Sequence, residues 1–193
     1  MNIRIFDDEE RRSIYQEHLQ KDFHQSEIKP YALMEKLVKE QRYLCYGVWD
    51  QEELKGYAFF VKGSDSRTLL LDYFAVLSAY RSQGLGGRFI QAIQESVMKD
   101  GLTLIAEVEN PAYASDEQSR DLMNRRIQFY LRNSFKLSKV WSRVFTDEYM
   151  IIYYNAKPHS DEQGLAMELK QLYQVIFGEE TCRNRIHVRM TEE

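Results

Sequence analysis

The sequence predicts an α/β (α+β) fold: a mixed central sheet flanked by helices on both faces, with a further helix near the C-terminal end. Three observations carry this. Short apolar or alternating runs bounded by Gly, Pro, Asn and Asp recur between segments of helical spacing. A strand meander precedes a strand–helix–strand–helix unit, and that order builds a sheet of mixed sense. The chain has 193 residues, 44% of them hydrophobic, which suits one domain of roughly 150 residues with an appendage. Residues 1–157 are read as the domain, and 158–193 as a C-terminal helix and charged tail packed on it.

Ile3 and Ile5 mark a first strand. Residues 8–25 place Ile14, Tyr15, Leu19 and Phe23 mostly one helical turn apart. Pro30 opens a second helix with Leu33, Met34, Leu37 and Val38 on its apolar face. Tyr43–Trp49 and Lys55–Lys62 read as strands joined by a tight turn at Asp50-Gln51-Glu52, and Gly63-Ser64-Asp65-Ser66 is a second turn. Leu69–Val76 is apolar at every position but Asp72, as in a strand buried on both faces. The next helix carries Leu85, Phe89, Ile93 and Val97 at i, i+4, i+8 and i+12, and Gly101 ends it. Leu102–Glu109 is a strand that Asn110-Pro111 stops. A polar loop covers 112–119, and a helix covers 120–132 with Met123, Ile127, Tyr130 and Leu131 on one side. Phe135–Phe145 and Tyr149–Tyr154 read as a hairpin. Ser160-Asp161-Glu162-Gln163 fits a capping box. It starts a helix with Leu165, Leu169, Leu172 and Ile176, closed by Gly178. Beyond Glu179 a solvated charged tail is expected, although Ile186, Val188 and Met190 alternate as an edge strand would.

Composition narrows the function. There are 26 Lys+Arg against 30 Asp+Glu, a net charge of −4, which argues against a nucleic-acid partner. Cys45 and Cys182 lie far apart, and His18, His24, His159 and His187 show no ligand spacing, so no metal is expected. The first residues lack the apolar core of a signal peptide. No run approaches the roughly 20 apolar residues that span a bilayer. A cytoplasmic protein without a membrane partner is the expectation.

The strongest chemical signal is the apolar strand followed by Arg81-Ser82-Gln83-Gly84-Leu85-Gly86-Gly87 and a helix. A glycine-rich turn at a helix start leaves backbone N–H groups unpaired at the positive end of the helix dipole, where phosphate groups bind. Glycine admits the ligand close to the backbone. The same glycines also serve tight strand–helix packing. A P-loop is excluded, because Gly87 is followed by Arg88-Phe89 and not by Lys-Ser/Thr. A dinucleotide fingerprint is weakened by Phe89 at its third glycine, but Glu107 and Glu109 imitate its acidic residue and keep it open.

Tyr73-Phe74-Ala75-Val76 followed by Tyr80-Arg81-Ser82-Gln83-Gly84-Leu85-Gly86 resembles the [QR]xxGx[GA] segment of the GNAT superfamily of acyl-CoA N-acyltransferases. About 45 residues on, Phe129-Tyr130-Leu131-Arg132-Asn133-Ser134-Phe135 is similar to the family's FYxxxGF element. The resemblance covers roughly residues 1–156, with its specific motifs within 73–135. It implies a mostly antiparallel sheet and acetyl-CoA as cosubstrate. It further implies that backbone N–H groups of Arg81, Ser82, Gln83, Gly84, Leu85, Gly86 and Gly87 hold the pyrophosphate. The backbone of Phe74, Ala75 and Val76 would pair with the pantetheine arm, and Tyr130 would protonate the departing thiolate. Two positions depart from the pattern: Ser134 replaces a glycine, and Met123 stands where an asparagine is frequent, with Asn124 one place off.

Acetyl transfer to an amine requires a neutral amine, a stabilised carbonyl oxygen and a thiolate that can leave. Strand N–H groups near Val76 suit the second, and Tyr130, which also fits a core tyrosine, suits the third. Three carboxylates are candidates for the base. Asp72, alone in an apolar run, must find a partner or a cavity. Glu107 and Glu109 lie two apart and therefore share a face of their strand, unless that strand end is simply solvated. Some members of the family use a water chain instead. The negative charge mildly favours a small cationic amine as acceptor. A non-catalytic acyl-CoA-binding module and a protein or peptide acetyltransferase stay open. So does a homodimer, formed by exchange of the tail strand or of the 135–154 hairpin.

Overall fold

The computed structural model describes residues 1–63, 67–155 and 162–191. It is a mixed α/β fold with a mostly antiparallel eight-stranded sheet. The chain divides into two compact units, Met1–Lys62 with Leu71–Phe89, and Gly63–Leu70 with Ile90–Glu193.

In the first unit, β1 (Asn2–Ile5) pairs antiparallel with β2 (Tyr43–Asp50), and β2 with β3 (Glu53–Lys62). The hairpin turns at Gln51, whose φ of 54° is left-handed. Next to β3 lies β4 (Thr68–Val76), which belongs to this unit from Leu71 onward. The chain enters α1 (Asp8–Ser13) through a capping box. Glu10 N donates to Asp7 Oδ1 at 2.9 Å, and Asp7 N donates to Glu10 Oε2 at 3.0 Å. The helical path continues through a π-helical segment, Ile14–Leu19, into the short α2 (Gln20–Asp22). The five-residue step of a π segment explains why Ile14 and Leu19 are both buried. Pro30 is the N-cap of α3 (Tyr31–Lys39), one place before the helix proper, and Met34 and Leu37 are its buried residues. Phe59 centres this core, with Phe6, Tyr43 and Tyr73 edge-on to its ring at 5.8–6.2 Å.

In the second unit, the first part of β4 is followed in sheet order by β5 (Thr103–Glu109), β7 (Asp147–Asn155), β6 (Lys136–Val144) and β8 (Ile186–Met190). The pairs β5–β7, β7–β6 and β6–β8 are antiparallel. The β6–β7 ladder slips between Leu137 and Trp141. There Ser138 Oγ accepts from Val140 N at 3.0 Å and donates to Ile151 O at 2.9 Å. α4 (Leu85–Asp100) spans both parts of the chain and is followed by Gly101 at φ 66°.

Several sequence expectations change. The polar stretch 112–119 is not a plain loop: Pro111–Tyr113 forms a 3₁₀ turn, and Asp116 caps α5 (Glu117–Arg132), accepting from Ser119 N at 2.7 Å. The acidic and serine cluster is thus a helix start. The expected solvated tail is ordered as α7 (Glu179–Arg185) and β8, whose alternating Ile186, Val188 and Met190 lie on the strand that pairs with β6. α6 (Glu162–Phe177) buries Leu165, Leu169, Leu172 and Ile176 as their spacing predicts. Ser64–Ser66 of the second turn and Ser160-Asp161 of the second capping box lie outside the described residues.

Ser134, where a glycine was expected, adopts φ 67° and closes α5, with Phe135 N donating to Tyr130 O at 3.1 Å. A side chain in this region costs about 1–2 kcal/mol, while glycine costs about 0.5–1 kcal/mol through the unfolded chain. Ser134→Gly is therefore expected to stabilise the protein by about 0.5–1 kcal/mol, read as a higher urea midpoint. An unchanged or lower midpoint contradicts the reading.

Candidate active site

The loop from β4 to α4 and the carboxylate of Asp72 belong to the first unit. Arg81, Ser82, Gln83 and Gly84 are exposed, whereas Leu85 and Phe89 are buried and anchor the start of α4. Ser82 and Gly84 have φ of 62° and 72°. Arg88 N donates to Gly84 O at 3.3 Å. The N–H groups of Leu85, Gly86 and Gly87, in the helix's first turn, precede any intrahelical acceptor. A Cβ on Gly84 would meet open space among the described residues. A diphosphate fits such a place. Arg81 organises the approach: Nε donates to Val76 O at 2.8 Å, and the guanidinium pairs with Asp22 at 2.5 Å. Asp22 also accepts from the Tyr57 hydroxyl at 2.9 Å. Upstream, Phe74 packs on Phe89 with ring centres 5.2 Å apart, and Ala75 and Val76 complete the strand.

Asp72 has found the partner that a carboxylate in an apolar strand requires. Its side chain is 3% exposed, and Lys29 Nζ meets Oδ1 at 2.5 Å. The Tyr43 hydroxyl donates to Oδ2. The Lys29 backbone N–H donates to the Tyr73 hydroxyl at 2.9 Å, and that hydroxyl donates to Glu27 O at 2.8 Å. The segment before α3 is therefore tied to β4 by both charge and backbone.

Tyr130, Glu107 and Glu109 belong to the second unit. Tyr130 is half-buried on α5, edge-on to Phe129 and Phe135, each at 5.1 Å. Among the described residues its hydroxyl has no hydrogen-bond partner. Burial pushes its pKa up to about 12, partly offset by Arg126, so it is a proton donor at neutral pH. Glu107 and Glu109 are half-buried at the end of β5, alternating with buried Val108. Glu109 pairs with Arg126. Glu107 Oε1 accepts from the Tyr173 hydroxyl at 2.6 Å, and that hydroxyl lies 2.7 Å from Ser142 Oγ. The sequence reading missed Tyr173, Ser142, Lys29 and Asp22. Tyr173 had one visible signal, a polar tip beside Leu172 in the apolar stripe of α6.

Comparison with known proteins agrees with this geometry. Residues 11–132 match the family model described as the Acetyltransferase (GNAT) family. A Bacillus subtilis (strain 168) protein, "Putative acetyltransferase YjbC", is 30% identical over 167 residues, covering 83% of this chain and 79% of that protein. A solved structure from Bacteroides thetaiotaomicron, a "Putative acetyltransferase from GNAT family", has a TM-score of 0.72 at 17% identity and covers 93% of this chain and 99% of its own. An aminoglycoside 6′-N-acetyltransferase complexed with coenzyme A has a TM-score of 0.62 at 16% identity, covering 83% of this chain and all of its own (100%). The chain belongs to the GNAT acetyltransferase family and is an acyltransferase, which sets aside the dinucleotide reading. No described helix is long and apolar enough to cross a membrane.

Two predictions follow from the buried polar groups. Removing one partner of a buried ion pair typically costs about 3–5 kcal/mol. Lys29→Met should therefore lower stability by about 3 kcal/mol, with Lys29→Met/Asp72→Asn recovering part of it. Equal stability of Lys29→Met and the native chain in urea would refute this. Burial, reinforced by Asp72, Asp22 or Glu107, raises the pKa of Tyr43, Tyr57, Tyr73 and Tyr173, and burial alone raises that of Tyr130. These phenols keep their protons in the folded state after the unfolded chain has begun to lose them near pH 10. Stability is thus complete below about pH 10 and falls above it. Phenolate absorbance at 295 nm should lag the exposed tyrosines and then rise together with unfolding.

Proposed function

We propose that this protein transfers an acetyl group from acetyl-CoA to the primary amine of a small cationic acceptor by direct attack. The observation that carries the reading is the exposed turn at Ser82, Gln83 and Gly84, with Gly84 at positive φ, leading into the first-turn amides of Leu85, Gly86 and Gly87 at the start of α4. Acetyl-CoA supplies an activated thioester. The amide groups of the loop hold its diphosphate, and the backbone at Phe74, Ala75 and Val76 pairs with the pantetheine arm. The amine nitrogen forms a bond to the acyl carbon, the carbon–sulfur bond breaks, and the sulfur retains its electron pair. The amine's proton passes to Glu107, and Tyr130 protonates the sulfur.

Among the three carboxylates, Glu107 suits the base best. Asp72 is held by Lys29 and Tyr43, and Glu109 by Arg126. The Tyr173 phenol donates to Oε1 of Glu107 and orients that carboxylate. We assign Asp72 to the framework and Glu109 to the site's edge. The coenzyme-A-bound neighbour acetylates an aminoglycoside, and with the net charge of −4 it supports a cationic acceptor.

Calorimetry of acetyl-CoA binding tests the reading. The native chain should bind, and Gly84→Glu/Gly86→Glu should abolish binding by filling the loop with side chains and negative charge. Tyr130→Phe should bind normally and lower kcat by about 10²-fold, within the range for general acid catalysis. Binding without turnover across a panel of small cationic amines would overturn the proposed acceptor class, and no binding of acetyl-CoA would overturn the proposed reaction.

A further inference from the structure

Tyr173 lies on α6, well beyond residue 132 where the family match ends. It is 1% exposed, and Ser142 beside it is 0% exposed, so no solvent replaces either partner. The phenol has one hydrogen and two polar neighbours, Glu107 Oε1 at 2.6 Å and Ser142 Oγ at 2.7 Å. An ionised carboxylate only accepts. The phenol hydrogen therefore goes to Glu107, and the Ser142 hydroxyl donates to the phenol oxygen. Burial keeps the phenol protonated. A chain of donors thus runs one way, from β6 through α6 to the end of β5, each bond polarising the next.

The two ends of the chain are held differently. Ser142 sits inside the β6 ladder, opposite Tyr149 of β7 and Val188 of β8. Tyr173 is buried on α6, as are Leu169, Leu172 and Ile176, and its ring centre lies 6.3 Å from that of Phe177. Glu107 is half-buried, at the point where β5 gives way to Asn110-Pro111. A glutamate side chain there has several rotamers, and a donor on a rigid support selects one. Two of the three residues are buried scaffold and only the third reaches a surface, which is how a positioning shell serves a reacting group.

We propose that Tyr173, backed by Ser142, is the positioning residue for Glu107, so that the C-terminal helix completes the base of the transferase. This rests on the proposed function, in which Glu107 takes the amine's proton. Tyr173 touches no substrate and acts only through the carboxylate. Its loss leaves acetyl-CoA binding intact and slows the proton step.

A double-mutant cycle tests this on the full chain, with acetyl-CoA and either spermidine or kanamycin as the acceptor, following thiol release. Glu107→Gln should lower kcat by about 10²-fold or more. Tyr173→Phe should lower kcat by about 10-fold, with the KM for acetyl-CoA within about twofold, and Ser142→Ala should lower it in the same direction but less. In the Glu107→Gln background, Tyr173→Phe should cost nothing further, since a residue acting through Glu107 has nothing left to position. Full multiplication of the two losses, a silent Tyr173→Phe, or a silent Glu107→Gln overturns the inference and leaves acetyl transfer itself standing. If Tyr173→Phe does not fold, Ser142→Ala takes its place in the cycle and is judged by the same criterion. No acetylation of either amine by the native chain overturns the inference and the proposed function together.

Discussion

The buried carboxylate of Asp72 is the constraint on which the first unit turns. It sits in the middle of β4, in a run that is otherwise apolar, where an unpaired charge would cost several kcal/mol. Meeting that requirement takes a cation and a hydroxyl. The hydroxyl comes from Tyr43 of the neighbouring meander, and the cation from Lys29 in the segment between α2 and α3. Because Lys29 also gives its backbone N–H to Tyr73, the segment is fixed at two points on adjacent residues of one strand. The same strand then runs into the glycine loop. The position of the loop and the position of the segment before α3 are therefore not independent.

A second ion pair works at the loop itself. Arg81 spans from Val76 O, at the end of β4, to Asp22 at the end of α2. Its side chain is 52% exposed, so the pair contributes little to stability. Its effect is geometric: the guanidinium spaces the strand end from the helix end. Asp22 is more buried than Arg81 and is held again by Tyr57. The first-turn amides of Leu85, Gly86 and Gly87 follow at the start of α4, and a run of amides at a helix start recognises anions by dipole and direct donation together.

Most elements were legible in the sequence because their signals are local. The π-segment core residues, the α4 stripe and the α6 stripe all follow from apolar spacing over a few turns. The glycine loop was legible because its chemistry is written in consecutive residues. Asp116 escaped because a capping aspartate inside an acidic and serine-rich stretch looks like any other loop residue until the N–H of Ser119 reaches it. The tail escaped for a related reason. Its charges dominate the composition, and only the alternation of Ile186, Val188 and Met190 hinted at the strand it forms on β6. Ser134 shows the reverse case: the sequence pattern wanted glycine, and the chain adopts the left-handed turn without it.

The contacts around Glu107 were illegible for a deeper reason. Ser142 and Tyr173 lie far from Glu107 in sequence, on three different elements, and neither has a motif around it. What brings them together is the satisfaction of buried polar groups. A phenol only 1% exposed needs a partner, and at its position on α6 the partners within reach are a strand hydroxyl and a strand-end carboxylate. The apolar stripe of α6 dictates that the helix docks, and the hydroxyl of Tyr173 dictates how it docks. A helix that served only as a hydrophobic cover would gain nothing from tyrosine over phenylalanine here, because burying the hydroxyl carries a desolvation cost that only its two hydrogen bonds offset. The oxygen is there for Ser142 and Glu107, and through them the last helices of the chain are joined to the strand that carries the candidate base.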